Sequence, residues 1–139
     1  MSKSKGQTLV EVSLILPLLV ILVGAAVDWG LAFFVSHVVQ NAAREAVRAG
    51  VTQTPTSNIA VQALAQAQAV IPDTPLFSSF RDTANITVTG PSGACPNKEV
   101  TVTISGPFNF MFLRLFNFAS VPITRSSTMR WERQPLSCT

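Results

Sequence analysis

The sequence predicts an α+β protein: a long N-terminal helix, membrane-spanning in its first half and amphipathic in its second, then a short helix and a small antiparallel β-sheet packed on it. Three observations carry this expectation. Residues 12–27 form an apolar run without a charge, a helical period continues beyond it to Gly50, and period-two alternation appears after Pro72 and Pro75. Composition agrees, with 47% hydrophobic and 12% charged residues in a chain of 139, against roughly 25% charged in ordinary soluble domains. The mean hydropathy is +0.38. Once a membrane-length segment is set aside, about 100 residues remain, enough for one modest core.

If Asp28 is tolerated, the apolar character that begins at Val12 continues to Val35, which supplies the roughly 20 residues needed to cross a hydrocarbon layer of about 30 Å. Lys3 and Lys5 precede it and place the N-terminus in the cytoplasm by the positive-inside rule, with everything after the span outside. A cleaved secretory signal has a similar charge layout. The length of the run, and its continuation into a second helical pattern without a small-residue cleavage loop, favour a retained span.

Past the span, Leu31, Phe34, Val35, Val38 and Ala42 fall at the spacing of one helix face, while His37, Gln40, Asn41, Arg44 and Arg48 share another. Span and extension read as one helix, about 63 Å long from Leu9 to Gly50 at a rise of 1.5 Å per residue, so half of it stands outside the bilayer. Gly50 and Pro55 supply the stop. Pro17 removes a backbone donor inside the first half and is a candidate kink.

A second helix is expected from Ser57, as N-cap, to Ile71, with Ala60, Ala63, Leu64, Ala67 and Ile71 on one face. Alternation in residues 86–89 and 100–105 reads as two strands, and a third covers residues 123–131. Three short strands need an apolar partner, which the outer half of the long helix provides. The segment "PFNFMFLRLFNF", residues 107–118, holds five of the nine phenylalanines and one charge, Arg114. It either packs on the long helix to close the core, or dips into the outer leaflet or meets a neighbouring subunit.

Several function classes find no support. The net charge of +3 is small, and the basic residues form no run that could track a phosphate backbone, so nucleic acid is not expected as a partner. His37 is the single histidine, and no CxxC, GxSxG or Gly-rich phosphate loop occurs. Neither a metal, a cofactor nor catalysis is therefore expected. Glu45 and Arg48 form an i, i+3 pair worth a few tenths of a kcal/mol, which a solvated helix face explains as well as a binding role does.

Two carboxylates mark the apolar segment. A charge at the centre of a hydrocarbon layer costs at least about 2.5 kcal/mol, so Glu11 either gains a partner or sits solvated at the headgroup level. Asp28 lies 17 positions later, about 25 Å along a helix, where it marks the opposite membrane edge or serves helix packing. Ala26 and Gly30 form a small-xxx-small pair that permits close helix approach.

Gly6 followed five residues later by Glu11, on a short basic leader at the head of an apolar helix, resembles the processing site of type IV prepilins. More of the chain is similar to one branch of that superfamily, the TadE-like pseudopilins of the tight-adherence (Flp) pilus system. The similarity runs through "GQTLVEVSLILPLLVILVGAAVDWG" and "NAAREAVRAG" and ends weakly at "TMRWE". Val12 stands where Flp-type pilins often carry an aromatic residue, and Gln7 where many type IV pilins begin with Phe.

The resemblance implies a division into a leader over residues 1–6, a long helix over 7–50 and a pilin-like α+β region over 51–139. It implies cutting of the Gly6–Gln7 bond by a prepilin peptidase, and a helix-bundle role for Glu11, paired with the new Gln7 amine of a neighbouring subunit, with Asp28 as a second candidate. The implied partners are other pilin or pseudopilin subunits, the peptidase, the bacterial inner membrane and the pilus assembly platform. The alternative is a single-span envelope protein whose outer region binds a partner and never enters a filament.

Cys95 and Cys138 are the only thiols, and both follow the span, on the side that the expected topology makes oxidising. One intramolecular disulfide is the economical reading. Non-reducing peptide mapping should recover the two cysteines as one linked pair, and two free thiols in freshly isolated protein would contradict it.

Overall fold

The computed structural model describes residues 4–54, 56–94 and 97–132, with side chains from Gly6 onward. Cys95 and Cys138, the expected disulfide pair, and Pro55, half of the expected helix stop, lie outside these residues. The expected architecture is present: one long helix, short helices, and a three-stranded antiparallel sheet.

Helix α1 runs without interruption over Ser4–Val51, 48 residues, and passes through Pro17. Inside the apolar half the Ser13 hydroxyl donates to the Val10 carbonyl at 2.8 Å, which satisfies a polar group that lipid would not. In the second half the buried face is Asp28, Ala32, Val35, Ser36, Val39, Ala42, Ala43, Ala46 and Val47. This stripe is rotated from the one expected. Val35 and Ala42 belong to both, but Phe34 is 53% exposed, with its ring edge-on to Phe77 at a centroid distance of 6.1 Å. Small residues won the inner face because the sheet and α2 both press on α1, and only Ala, Val and Ser leave room for two neighbours.

Helix α2, Ser57–Val70, lies against α1 with Ile59, Ala63 and Ala67 buried. Its N-cap is Thr56, without a side-chain capping bond, so Ser57 is the first helical residue rather than the cap. Ala60 faces solvent and Ile59 takes its place in the buried face. Gly50 is helical, and a Cβ there would stand 3.3 Å from Ile59 Cγ2. Its contribution is close helix–helix approach rather than a left-handed stop. The end of α1 is instead stitched to the distal end of the sheet: Glu132 N–H donates to the Val51 carbonyl at 3.2 Å, and Trp131 Nε1 donates to the Gln53 carbonyl at 3.3 Å. These bonds satisfy groups that a helix terminus leaves open.

After turns at Pro75–Phe77 and Thr83–Asn85 and the single-turn α3, Ser78–Arg81, the chain enters β1, Ile86–Ser92. Strands β2, Glu99–Asn109, and β3, Ser120–Arg130, complete a sheet of order β1-β2-β3. Both longer strands exceed the expected alternating segments because ladder pairing runs from Glu99↔Arg130 to Asn109↔Ser120, through the less regular Ser-Gly-Pro-Phe stretch. Val100, Val102, Ile104 and Phe108 point to the helices and are essentially inaccessible. The other face is rich in Thr and Ser, with Thr101 and Thr128 hydroxyls 2.8 Å apart across the strands.

Phe80 from α3 fills the space that Gly106 leaves open, since a Cβ at Gly106 would lie 2.9 Å from the Phe80 ring. Phe80→Ala should therefore cost about 3–5 kcal/mol, and Gly106→Ala should destabilise by overpacking, typically about 1–3 kcal/mol. Both are measurable by denaturant unfolding of the full chain in detergent. A non-additive double variant would confirm that the two positions share one space.

Candidate assembly interface

The two halves of α1 meet different surroundings. Every residue from Gly6 to Val23 is exposed, with Leu14 at 71%, and only 6% of the most apolar 18-residue window is buried. The core helix of a soluble protein buries such a window. This one is long and apolar enough to cross a membrane and fits a single-pass membrane protein. Ala26 and Gly30 are also exposed, and a Cβ added at Gly30 would meet nothing within 4 Å, so their face is open to a close neighbour.

Gly6 and Gln7 fall in the first turn of α1, where backbone N–H groups lack intrahelical acceptors. A Cβ at Gly6 would meet nothing within 4 Å, so packing within the described residues does not require glycine there. Glu11 is exposed one turn from Gln7, on the same face at the i, i+4 spacing. Among the described side chains it forms no ion pair; the pair present is Arg81–Asp73 at 3.0 Å, at the surface. Glu45 and Arg48, the i, i+3 pair expected on α1, do not reach salt-bridge distance.

Asp28 is in a different situation. It is fully buried, and its carboxylate accepts three backbone N–H bonds from the loop between β2 and β3. Met111 donates to Oδ1 at 3.0 Å, and Phe112 and Leu113 donate to Oδ2 at 2.8 and 2.7 Å. Hydrogen bonds to an ionised acceptor are about twice as strong as neutral ones, so the carboxylate binds the loop to the helix. Apolar contacts add to these bonds: a Cβ at Gly24 would lie 2.8 Å from Phe112 Cγ, so Phe112 sits directly on the α1 backbone, and the Trp29 and Phe110 rings lie 6.0 Å apart. Sequence reasoning placed Asp28 near the far membrane edge but had no sign of these donors, because they are backbone groups more than 80 positions away.

A groove lies beside the buried stripe, lined by Phe33 and by the polar side chains of Ser36, His37, Gln40, Asn41, Arg44 and Arg125. Arg125 occupies a helix-facing position of β3, and its Nε and Nη2 donate to the Ser36 hydroxyl, the former at 2.8 Å. Gln40 Nε2 donates to the Ser126 carbonyl at 3.2 Å. The polar helix face read from the sequence is thus partly a cross-brace to β3. Arg125, a charge among inward-facing strand positions, was the legible but unread signal.

The chain brings Asp28 to the Phe-rich segment but keeps Glu11 and Asp28 apart, about 25 Å along the same helix. Among the described residues no group of three or more potential metal ligands occurs. A family model described as TadE-like protein matches residues 6–48, which spans the apolar half of α1 and most of its packed half. No curated protein and no solved structure matches the chain.

Asp28→Asn keeps the shape but turns one acceptor into a donor that faces donors. Loss of one or two charged hydrogen bonds at about 1.5–3 kcal/mol each should open the loop, and the amides of Met111, Phe112 and Leu113 should lose hydrogen-exchange protection by at least about tenfold. Unchanged protection would show that apolar contacts such as Phe112 on Gly24 hold the loop without the carboxylate.

Proposed function

We propose, on the match of α1 to the TadE-like family over residues 6–48, that this chain is a minor pilin or pseudopilin: a non-enzymatic structural subunit of a tight-adherence pilus. Its first helix is a membrane anchor before assembly and a packing element afterwards. The observation that carries the reading is the apolar stretch of α1 from Gly6 to Val23, every residue of which is exposed, while the second half buries one face under a sheet and a second helix. An apolar rod of this kind is compatible with lipid and, equally, with a bundle of like rods.

In this reading the peptidase cuts between Gly6 and Gln7. Nothing packed around Gly6 among the described residues demands a glycine, so the demand is assigned to the enzyme that must reach the backbone. Cutting creates an amine on Gln7, one turn from Glu11. A carboxylate that costs at least about 2.5 kcal/mol at the centre of hydrocarbon then has a cation at matching depth on each neighbouring subunit. The partners are accordingly other pilin or pseudopilin subunits and the pilus assembly platform, in the inner membrane with the N-terminus cytoplasmic.

The second reading, a single-span envelope protein that binds an outer partner, draws on the groove lined by His37, Arg44 and Arg125. Processing separates the two. Intact-mass measurement of the membrane protein, from cells that contain the peptidase, should show loss of residues 1–6, and Gly6→Val should abolish that loss. A mature chain that still begins at Met1 or Ser2 supports the second reading. Glu11→Ala should be inserted and processed at normal levels but should co-purify poorly with other pilins, with Glu11→Gln behaving alike. Normal co-purification of processed Glu11→Ala would reduce the carboxylate to a solvated helix-end residue.

A further inference from the structure

The loop between β2 and β3 has an inverted construction. Phe110 is buried and Leu113 half-buried, but most of its other side chains are apolar and turned outward: Met111 is 68% exposed, Leu115 81%, Phe116 49% and Phe118 65%. Seven of its backbone N–H groups are satisfied within the protein. Three of its N–H groups are held by Asp28, and those of Phe110, Leu115, Asn117 and Phe118 reach carbonyls within the loop at 3.1–3.2 Å. Asn117 takes the left-handed conformation, φ 68°, that lets the turn close on itself. A loop in water shows the reverse, with polar side chains outward and backbone groups left to solvent. Irregular backbone at membrane depth is tolerated only where its polar groups are satisfied by protein.

Depth supports the same conclusion. The loop leans on Gly24 through Phe112, and the cleft between loop and helix is lined by Val20, Ile21, Ala25, Leu113, Leu115 and Phe116. On the sides of α1 away from the loop, Leu22 is 59% and Val23 62% exposed at the same height. Whatever medium bathes these two residues also bathes Leu115 and Phe116. If a span of about 20 residues ends between Asp28 and Leu31, Gly24 lies about 6–10 Å inside the hydrocarbon boundary. Trp29 and Phe33, both exposed and 6.3 Å apart ring to ring, then stand near that boundary, where aromatic residues concentrate. Arg114, the loop's single charge, is exposed, and its long side chain suits a head that reaches the headgroups from a buried stem.

We propose that this loop is a membrane foot, inserted among the phospholipid acyl chains on the folded region's side of the bilayer and held there by Asp28. The foot gives the folded region a second contact with the membrane beside α1. It sets the height and rotation of the sheet above the surface, which a lone helix leaves free. The buried carboxylate is explained at the same time, since it satisfies the backbone of an element that has no water to do so. The inference rests on the reading of α1 as a membrane span.

The test places a photoreactive benzoylphenylalanine in place of Leu115, of Leu22, or of Thr124 on the solvated face of β3. The full chain is reconstituted at high dilution into phosphatidylethanolamine/phosphatidylglycerol vesicles. After irradiation, mass spectrometry should find a lipid adduct at position 115 comparable to that at 22, and none at 124. Asp28→Asn should lower the adduct at 115 several-fold while leaving that at 22 unchanged. A lipid adduct at 22 without one at 115 overturns the foot alone. Absence of lipid at both positions overturns the membrane span and the foot with it. Predominant adducts to a second copy of the chain at 115 assign the loop to a subunit contact and overturn the lipid assignment.

Discussion

The Asp28 carboxylate and the three N–H groups that converge on it tie together parts of the chain separated by more than 80 positions. Without an acceptor, the turn at Met111–Leu113 would leave three donors unsatisfied beside an apolar helix, at a cost of about 1–3 kcal/mol each. Without the donors, a buried carboxylate would be untenable. Each half therefore makes the other possible, and the pair fixes where along α1 the sheet begins.

The remaining attachments follow from that starting point. Strand β3 rises beside α1 in the same direction, and cross-links recur along the way: Arg125 to Ser36, Gln40 to Ser126, Trp131 to Gln53 and Glu132 to Val51. Between these polar ties the contact is apolar, with alanines and valines of α1 against Val100, Val102 and Ile104 of β2. Larger volumes come from the other side, where Phe77, Phe80, Phe108 and Phe110 close the core. This division of small against large lets one helix carry both a sheet and a second helix within contact distance.

The result is a molecule with two kinds of surface. Above Asp28 one face of the helix is covered and the sheet presents hydroxyls outward. Below it the helix is apolar and, from Gly6 to Val23, exposed, and the Ser13 hydroxyl within that stretch is satisfied by the helix itself. The β2–β3 loop crosses the division, and its outward side chains follow the apolar rule while its backbone is served from the packed half. Function as an assembly subunit would use the lower half for insertion and bundling and the upper half to hold one fixed orientation above it.

Much of this was legible in the residues. The uncharged run from Val12, the unbroken helical period to Gly50 and the Thr/Val alternation of β1 and β2 each reflect a local periodicity, and local periodicity survives folding. The placement of Gln7 and Glu11 one turn apart on an exposed helix was legible for the same reason, the two being neighbours in sequence. What the sequence left undecided depends on distant neighbours. The buried stripe of α1 was displaced from Phe34 toward Ala32, Ser36 and Ala43 because two elements compete for that face, a fact no window on α1 contains. Gly50 looked like a stop and is a packing glycine, because Ile59 comes to it only in three dimensions. Asp28 looked like an interfacial charge because its ligands are main-chain donors, which every residue carries and no sequence distinguishes. Composition and period thus determined the membrane-length helix and the class of fold. Tertiary contact alone decided which face is buried and which carboxylate is caged, since both are set by groups that meet only when the chain has closed on itself.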